Sequence, residues 1–297
     1  MTIGERVNEG LAEMTPSERR VARTLLAAYP SAGLESLPML AQTSNVTGPT
    51  VLRFVRKIGF DGYTDFQRTL REEVQERMEG VLSLYDAKVF PPEQRVLEHS
   101  LTTFKRGLDK TFTPSIQSDF DEAARLLSDP RRRAWFVGGR FSQLLAEYLY
   151  ALVRMLRGGC TLVGDAPEDR RLDSLEIRRR DVLYLFDYRR YQPDTVEVGR
   201  IATQRGATVV VVTDPWLSPA VEFARHVLVT HPDSASPFDS MLGGFALAEA
   251  LAAEVVGMLG DAGRKRLEEL EEAQDHLRSI GSATEQGKGG LDGRRKP

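Results

Sequence analysis

The chain of 297 residues holds one cysteine, Cys160, and four histidines. A lone thiol excludes an internal disulfide, and so sparse a supply of Cys and His offers no zinc cluster. Cys160 lies in the apolar run Cys160-Thr161-Leu162-Val163, where a buried structural thiol is expected. Long uninterrupted apolar runs are lacking too. The most apolar stretch, Gly243 to Gly260, carries Glu249 and Glu254 and reads as too polar to span a bilayer. Glu5 and Arg6 follow the start with no apolar block, so no signal peptide and a cytoplasmic location are expected. There is no basic excess: 40 Lys and Arg stand against 43 Asp and Glu, a net charge of −3. Any nucleic-acid contact must therefore be local and salt-sensitive. No Ser/His/Asp, paired-carboxylate or metal-ligand spacing occurs, so no catalytic residue, metal or cofactor is expected. Glu249 reads as a polar-face residue, and His226 and His231, which flank the last strand, read as structural.

What is present is enough apolar residue, 41%, for two ordinary domains. Thr15-Pro16-Ser17-Glu18 reads as a capping box opening a helix. Thr64 to Gln67 reads as a second. Between them, Leu37, Leu40 and Ala41 recur at helical spacing, and Ser44-Asn45-Val46 breaks the pattern. Thr47 can cap a following helix with Pro49 in its first turn. There Val51, Phe54, Val55 and Ile58 form one stripe, while Thr50, Arg53 and Lys57, with Arg56 beside them, form another. Gly59 suits the position after the helix end. This predicts a helix-turn-helix whose second helix offers Thr47, Thr50 and Arg53 to base edges and phosphates, and Arg56 and Lys57 to the backbone. The plainer alternative is a solvated face of a core helix. Residues 43 to 60 hold three cations and no acid, which favours a duplex as the partner.

The order Thr15-Pro16-Ser17-Glu18-Arg19, Leu40-Ala41, Val46-Thr47, Thr50-Val51, Arg53-Phe54 and Gly59-Phe60-Asp61-Gly62-Tyr63 resembles the N-terminal domain of the RpiR-type bacterial transcriptional regulators over residues 1 to 77. The resemblance implies a sugar isomerase (SIS) domain further along. A linker is expected over 78–92, around Pro91-Pro92, then a sensor domain over 93–279 and a disordered tail over 280–297.

Within 93–279 the period changes. Apolar runs at Ala134–Val137, Cys160–Val163, Val182–Phe186, Thr208–Val212 and Val227–Val229 alternate with helical patterns. Strands without apolar/polar alternation are buried on both faces. The fold class expected is thus α/β: an all-α helix-turn-helix domain followed by a doubly wound, five-stranded parallel sheet. Ligands in such sheets bind beyond the carboxyl ends of the strands.

The loops found there resemble those of a SIS domain, through Gly138 with Ser142, Asp181-Val182, Thr195-Val196, Arg205-Gly206-Ala207, Thr213-Asp214 and Ser218-Pro219. That resemblance implies a small-residue cradle for a sugar phosphate. This chain departs from it. Arg140 stands where a second glycine is usual, and Asp187-Tyr188-Arg189-Arg190 replaces Ser-x-Ser-Gly. Gly138, Arg140, Ser142, Asp187, Arg189, Arg190 and Thr195 are the candidate ligand residues. Either the guanidiniums grip an anionic metabolite, or Asp187 pairs with an arginine and the pocket is filled. Asp239 and Ser240 read as caps of the last helix, with ligand contact as the sharper alternative.

The expected function is a transcriptional regulator that binds double-stranded operator DNA as a homodimer or tetramer and senses a small anionic metabolite. No membrane partner is expected. Half-sites would lie about 10 base pairs or a multiple apart. The rivals are a sugar-phosphate isomerase and a regulator whose SIS domain holds no ligand.

Overall fold

The computed structural model describes residues 2–27, 29–78, 85 and 95–288. The head is built from α1 (Ile3–Gly10), α2 (Pro16–Ala27), α3 (Ser31–Leu34), α4 (Leu37–Thr43), α5 (Gly48–Lys57) and α6 (Tyr63–Met78). Its core gathers Val21, Leu25, Leu40, Val51, Phe54, Val55, Phe66 and Leu70, the stripes that periodicity selects, together with Ile3 and Val7 of α1. The first capping box forms: Thr15 N–H donates to Glu18 Oε2 at 2.9 Å, and Glu18 N–H to Thr15 Oγ1 at 3.3 Å. The second does not. Helix α6 already begins at Tyr63, and the Gln67 amide donates to the carbonyls of Gly33, Leu34 and Glu35 at 3.3, 3.0 and 2.7 Å. Those are carbonyls that the one-turn helix α3 cannot satisfy itself. Neither α1 nor α3 is evident from sequence pattern.

The second domain comprises α7 (Val96–Thr111), α8 (Gln117–Ser128), β1 (Ala134–Gly138), α9 (Gln143–Leu156), β2 (Cys160–Leu162), α10 (Pro167–Glu176), β3 (Val182–Phe186), α11 (Pro193–Gln204), β4 (Thr208–Thr213), a 3-10 turn (Pro219–Phe223), β5 (His226–Val229), α12 (Leu242–Leu259) and α13 (Asp261–Lys288). The sheet is all parallel, ordered β2-β1-β3-β4-β5. Alternation splits its side chains between two cores. Phe136, Tyr184, Phe186, Val210 and Val212 pack with Leu145, Leu149, Leu247 and Leu251. Trp135, Leu183, Leu185, Val209 and Val211 pack with Val196, Val198, Ala202 and Ala220 on the opposite face. Chain order reverses between β1 and β3, so the switch point and its crevice lie at their carboxyl ends.

Three expectations need correction. The tail does not lose structure at 280, because α13 runs to Lys288. Extending a helix already nucleated in the Glu-rich run costs little, and Arg264–Glu268 at 3.0 Å adds an i,i+4 pair. Cys160 is half-buried rather than buried, being on the outermost strand, and burial still pushes its thiol up. Helix α12 is long and apolar enough to pass as a membrane span (mean hydropathy 1.6), despite Glu249 and Glu254. Its Leu247, Ala248, Leu251 and Val255 lie instead in the core shared with α8 and α9. The linker around Asp86–Pro92 and the basic Arg294-Arg295-Lys296 lie outside the described residues.

Head and sheet domain touch through α1. Thr2 Oγ1 donates to the Pro215 carbonyl at 3.0 Å, and Glu5 pairs with His231 at 2.9 Å. Gly4 lies so close to Leu217 that a Cβ would come within 2.9 Å of its Cδ1.

Candidate functional site

The head positions α5 by two tight turns. Helix α4 ends with Asn45 at φ +51°. Val46 N–H bonds to Ala41 O at 2.9 Å, and Asn45 N–H to Gln42 O at 3.0 Å. Asn tolerates this left-handed geometry better than most residues, so the turn is sharp. Helix α5 ends the same way on Gly59, φ +90°, with Phe60 N–H to Val55 O at 3.2 Å. Between these ends Val51, Phe54 and Val55 are buried, while Thr47, Arg53 and Arg56 face solvent.

The predicted contact residues do not all stand free. Thr47 occupies the N-cap position but makes no side-chain cap bond. Its hydroxyl meets Thr50 Oγ1 at 3.1 Å instead. Thr50 is buried and also accepts from Arg53 Nη2 at 3.3 Å, so it braces Arg53. Lys57 leans back onto α2, 3.3 Å from Glu18 Oε2. Arg53, Arg56 and Thr47 therefore form the open face, flanked by the exposed Gln42 and Thr43 of α4. No acid lies on α5.

At the switch point lies a cavity of about 460 Å³. Gly139, Arg140, Ser142, Asp187, Arg189 and Arg190 line it, with Phe141, Leu144, Phe238 and Asp239. Gly138 does not; a Cβ there would stand 2.4 Å from Gln143 N, so close packing of the turn demands glycine. Ser142 spends its hydroxyl within the loop: it accepts from Gly139 N–H at 2.8 Å and donates to Phe186 O at 2.7 Å. Thr195 is fully buried behind the cavity and donates to Gly138 O at 3.2 Å.

Arg170 was not singled out by pattern. Buried on α10, it donates to Thr195 Oγ1 at 2.6 Å, Gly138 O at 2.8 Å and Asp165 Oδ1 at 3.1 Å. One readable signal marked its helix: Pro167 followed by Glu168 and Asp169, a first-turn signature. Pattern gave no sign that its arginine turns inward.

Among the described residues Asp187 pairs with no arginine. Its carboxylate accepts from Ser218 Oγ at 2.5 Å and Gln192 N–H at 3.2 Å. Burial pushes its pKa up to about 7, only partly offset by those two bonds, and the Asp214 and Asp194 charges add to the rise. Arg189 instead pairs with Asp239 at 2.5 Å and lies 4.9 Å over the Trp216 ring. Asp239 is thus a partner of Arg189 rather than a helix cap. Asp214 accepts from Tyr191 OH at 2.7 Å and from the N–H of Arg189. Burial pushes its pKa up to about 6. Arg140 and Arg190 are exposed at the mouth. Elsewhere Glu249 accepts from Tyr148 OH at 2.9 Å on an exposed face, and His226 pairs with Asp119 at 2.9 Å.

Arg190 adopts φ +71°, the left-handed region that a side chain pays about 1 kcal/mol or more to enter. It keeps a backbone suited to glycine while carrying a guanidinium. Arg190→Gly should therefore raise stability by about 1 kcal/mol, read as a higher denaturation midpoint at unchanged slope. A lower midpoint would show that the side chain contributes more than the backbone strain costs.

Residues 1–77 match the model of the rpiR-family helix-turn-helix domain, and residues 126–254 that of the SIS domain. The chain belongs to the RpiR-type transcriptional regulators. It is 24% identical to the HTH-type transcriptional regulator HexR of Escherichia coli over 92% of this chain and 94% of that protein. An uncharacterized HTH-type transcriptional regulator of Haemophilus influenzae is 26% identical, over 73% and 75% of the two chains. Among solved structures, the sugar isomerase domain of the Sphaerobacter thermophilus RpiR transcription factor superposes with a TM-score of 0.55 at 23% identity, covering 60% of this chain and 99% of that one. Vibrio vulnificus NanR, complexed with ManNAc-6P, gives 0.53 at 15% identity, covering 93% and 99%. These two likenesses establish the fold. In this RpiR-type chain, then, a helix-turn-helix head stands beside a SIS crevice that three arginines line.

Proposed function

We propose that this regulator reads operator DNA with the Thr47, Arg53 and Arg56 face of α5 and takes its signal from a small anionic metabolite held in the switch-point crevice. The observation that carries the sensing half is the crevice mouth. Arg140 and Arg190 both line it and are exposed, and neither guanidinium is ion-paired among the described residues, whereas Arg189 is committed to Asp239. Two guanidiniums offer bidentate bonds to a carboxylate or phosphate. Deeper in, Asp187 and Asp239 already accept from Ser218, Gln192 and Arg189, and the second lone pairs of their carboxylate oxygens suit sugar hydroxyls. The anionic end then faces the mouth, and the polyhydroxy end faces inward. The complex of NanR with ManNAc-6P supports a sugar phosphate or sugar acid as the class.

One loop supports a route for the signal. Asp214, Trp216 and Ser218 contact Arg189, Tyr191 and Asp187 on the crevice side. Pro215 and Leu217 contact Thr2 and Gly4 of the head. A ligand that resettles Arg189 thereby shifts the balance of head arrangements. Exposed Phe141, Leu144 and Phe238 beside the mouth, and Leu97 and Leu101 on α7, favour association of two copies. Relatives named as transcriptional regulators favour this reading over an isomerase. So does Asp187, the one crevice acid with a raised pKa near neutrality, because Ser218 and Gln192 already engage both its oxygens.

Thermal-shift screening of sugar phosphates and sugar acids tests the proposal. A cognate ligand at one hundred times its dissociation constant stabilises by about 2.7 kcal/mol. Arg140→Ala with Arg190→Gly should abolish that response while leaving the unliganded fold intact. A flat panel with the natural sequence would favour a crevice that holds no ligand.

A further inference from the structure

A second cavity, of about 660 Å³, lies where head and sheet domain meet, along the outer side of β5. The two domains supply opposite walls. Leu11 and Leu26 come from the head, and Val227, Val229 and Ile116 from the other side. Most titratable groups around it are already spoken for. Glu5 pairs with His231, Lys110 with Asp233, and Asp119 with His226. Two cations are not: Arg23 of α2 and Arg225, just before β5, make no hydrogen bond or ion pair through their side chains among the described residues, and both are exposed. Glu222 is the single acid in the lining with no ion pair among the described residues.

We propose that this cavity is a second effector site, separate from the crevice, for a small amphipathic anion. Its apolar body lies between the Leu11/Leu26 wall and the Val227/Val229 wall. Its one anionic head group is held by Arg23 from the head and Arg225 from the sheet domain. Clefts of this size at domain junctions, apolar with a few converging polar groups, are where small ligands bind. The two linings differ in where their charge is free. In the crevice, Asp187 and Asp239 stand among the arginines. Here Glu5, Asp119 and Lys110 are ion-paired, so what is left to a ligand is the Leu11/Leu26 and Val227/Val229 walls, and the charges unpaired among the described residues sit on the exposed Arg23, Arg225 and Glu222. A polyhydroxy compound suits the first and a hydrocarbon carboxylate the second. Because each wall belongs to a different domain, an occupant ties the head down in its docked arrangement. Affinity for it is then coupled to head position without any change in the crevice.

Octanoate is the probe, with inorganic phosphate as the control for charge alone. Calorimetric titration of the full chain should show one saturable octanoate site per chain and much weaker phosphate binding. Arg23→Ala and Arg225→Ala, both exposed positions, should each weaken octanoate about tenfold. Arg140→Ala with Arg190→Gly should leave octanoate binding as it was, which keeps this test independent of the crevice reading. Hydrogen exchange in Ile3–Gly10 and in Pro219–Phe223 should slow when octanoate is added. The proposal is overturned if octanoate does not saturate, if phosphate binds as tightly, if neither arginine substitution matters, or if the crevice pair abolishes binding.

Discussion

Arg53→Ala should lower operator affinity by roughly 5- to 150-fold, the range expected for loss of one bidentate contact to a guanine. The side chain is exposed on the acid-free face of α5 and braced by the Thr50 hydroxyl at 3.3 Å. It is therefore partly ordered before DNA arrives, and the entropy lost on binding is small. Gel-shift titrations against cognate and scrambled duplexes separate two roles. Loss confined to the cognate duplex marks base readout. Equal loss on both, with the salt slope reduced by about 1, marks a phosphate contact. Unchanged affinity on both would remove α5 from the interface. Lys57 should matter less, because Glu18 already holds it.

Raising the pH from about 4 to about 7 should cost the sheet domain stability, on the order of 3 kcal/mol. Asp187 has a folded pKa of about 7 against an ordinary 3.8. In that window the folded state keeps a proton that the unfolded state has released. Stability then falls as pH rises, and the full penalty is present above the folded value. Asp214, pushed up to about 6 by burial, acts in the same direction. Below that window the sign reverses, because Asp129 is held at about 2 by Arg131. Chemical denaturation at pH 5 and pH 8 measures the effect. Asp187→Asn keeps an acceptor for Ser218 and should flatten the profile between those values. A natural sequence equally stable at both would show that Asp187 ionises without penalty.

The head was legible because its helices repeat at one period and end on residues with strong local preferences. Asn45 and Gly59 mark both ends of the reading unit by residue type alone. The five strands were legible for a similar reason: Val182–Phe186 and Thr208–Thr213 are apolar at every inner position, which only a sheet covered on both faces requires. What stayed hidden depends on distance along the chain. Arg189 finds Asp239 fifty positions on, and Arg170 reaches Thr195 across twenty-five. Nothing local in either stretch says which arginine turns inward and which stays at the mouth. Composition named Arg140, Arg189 and Arg190 but not Arg170; only packing buries and pairs Arg170 and Arg189 and leaves Arg140 and Arg190 exposed. The single-turn α3 and the Gly-bounded α1 were too short to carry a period.

The segment from Asp214 to Ser218 is wedged between two neighbours, Arg189 on one side and Gly4 on the other. Such sharing obeys reciprocity: whatever factor a crevice ligand imposes on the hold for DNA, the duplex must impose on the hold for that ligand. Operator-bound and free molecules would then answer the same metabolite at different concentrations, and the threshold of the switch would belong to the pair rather than to either partner.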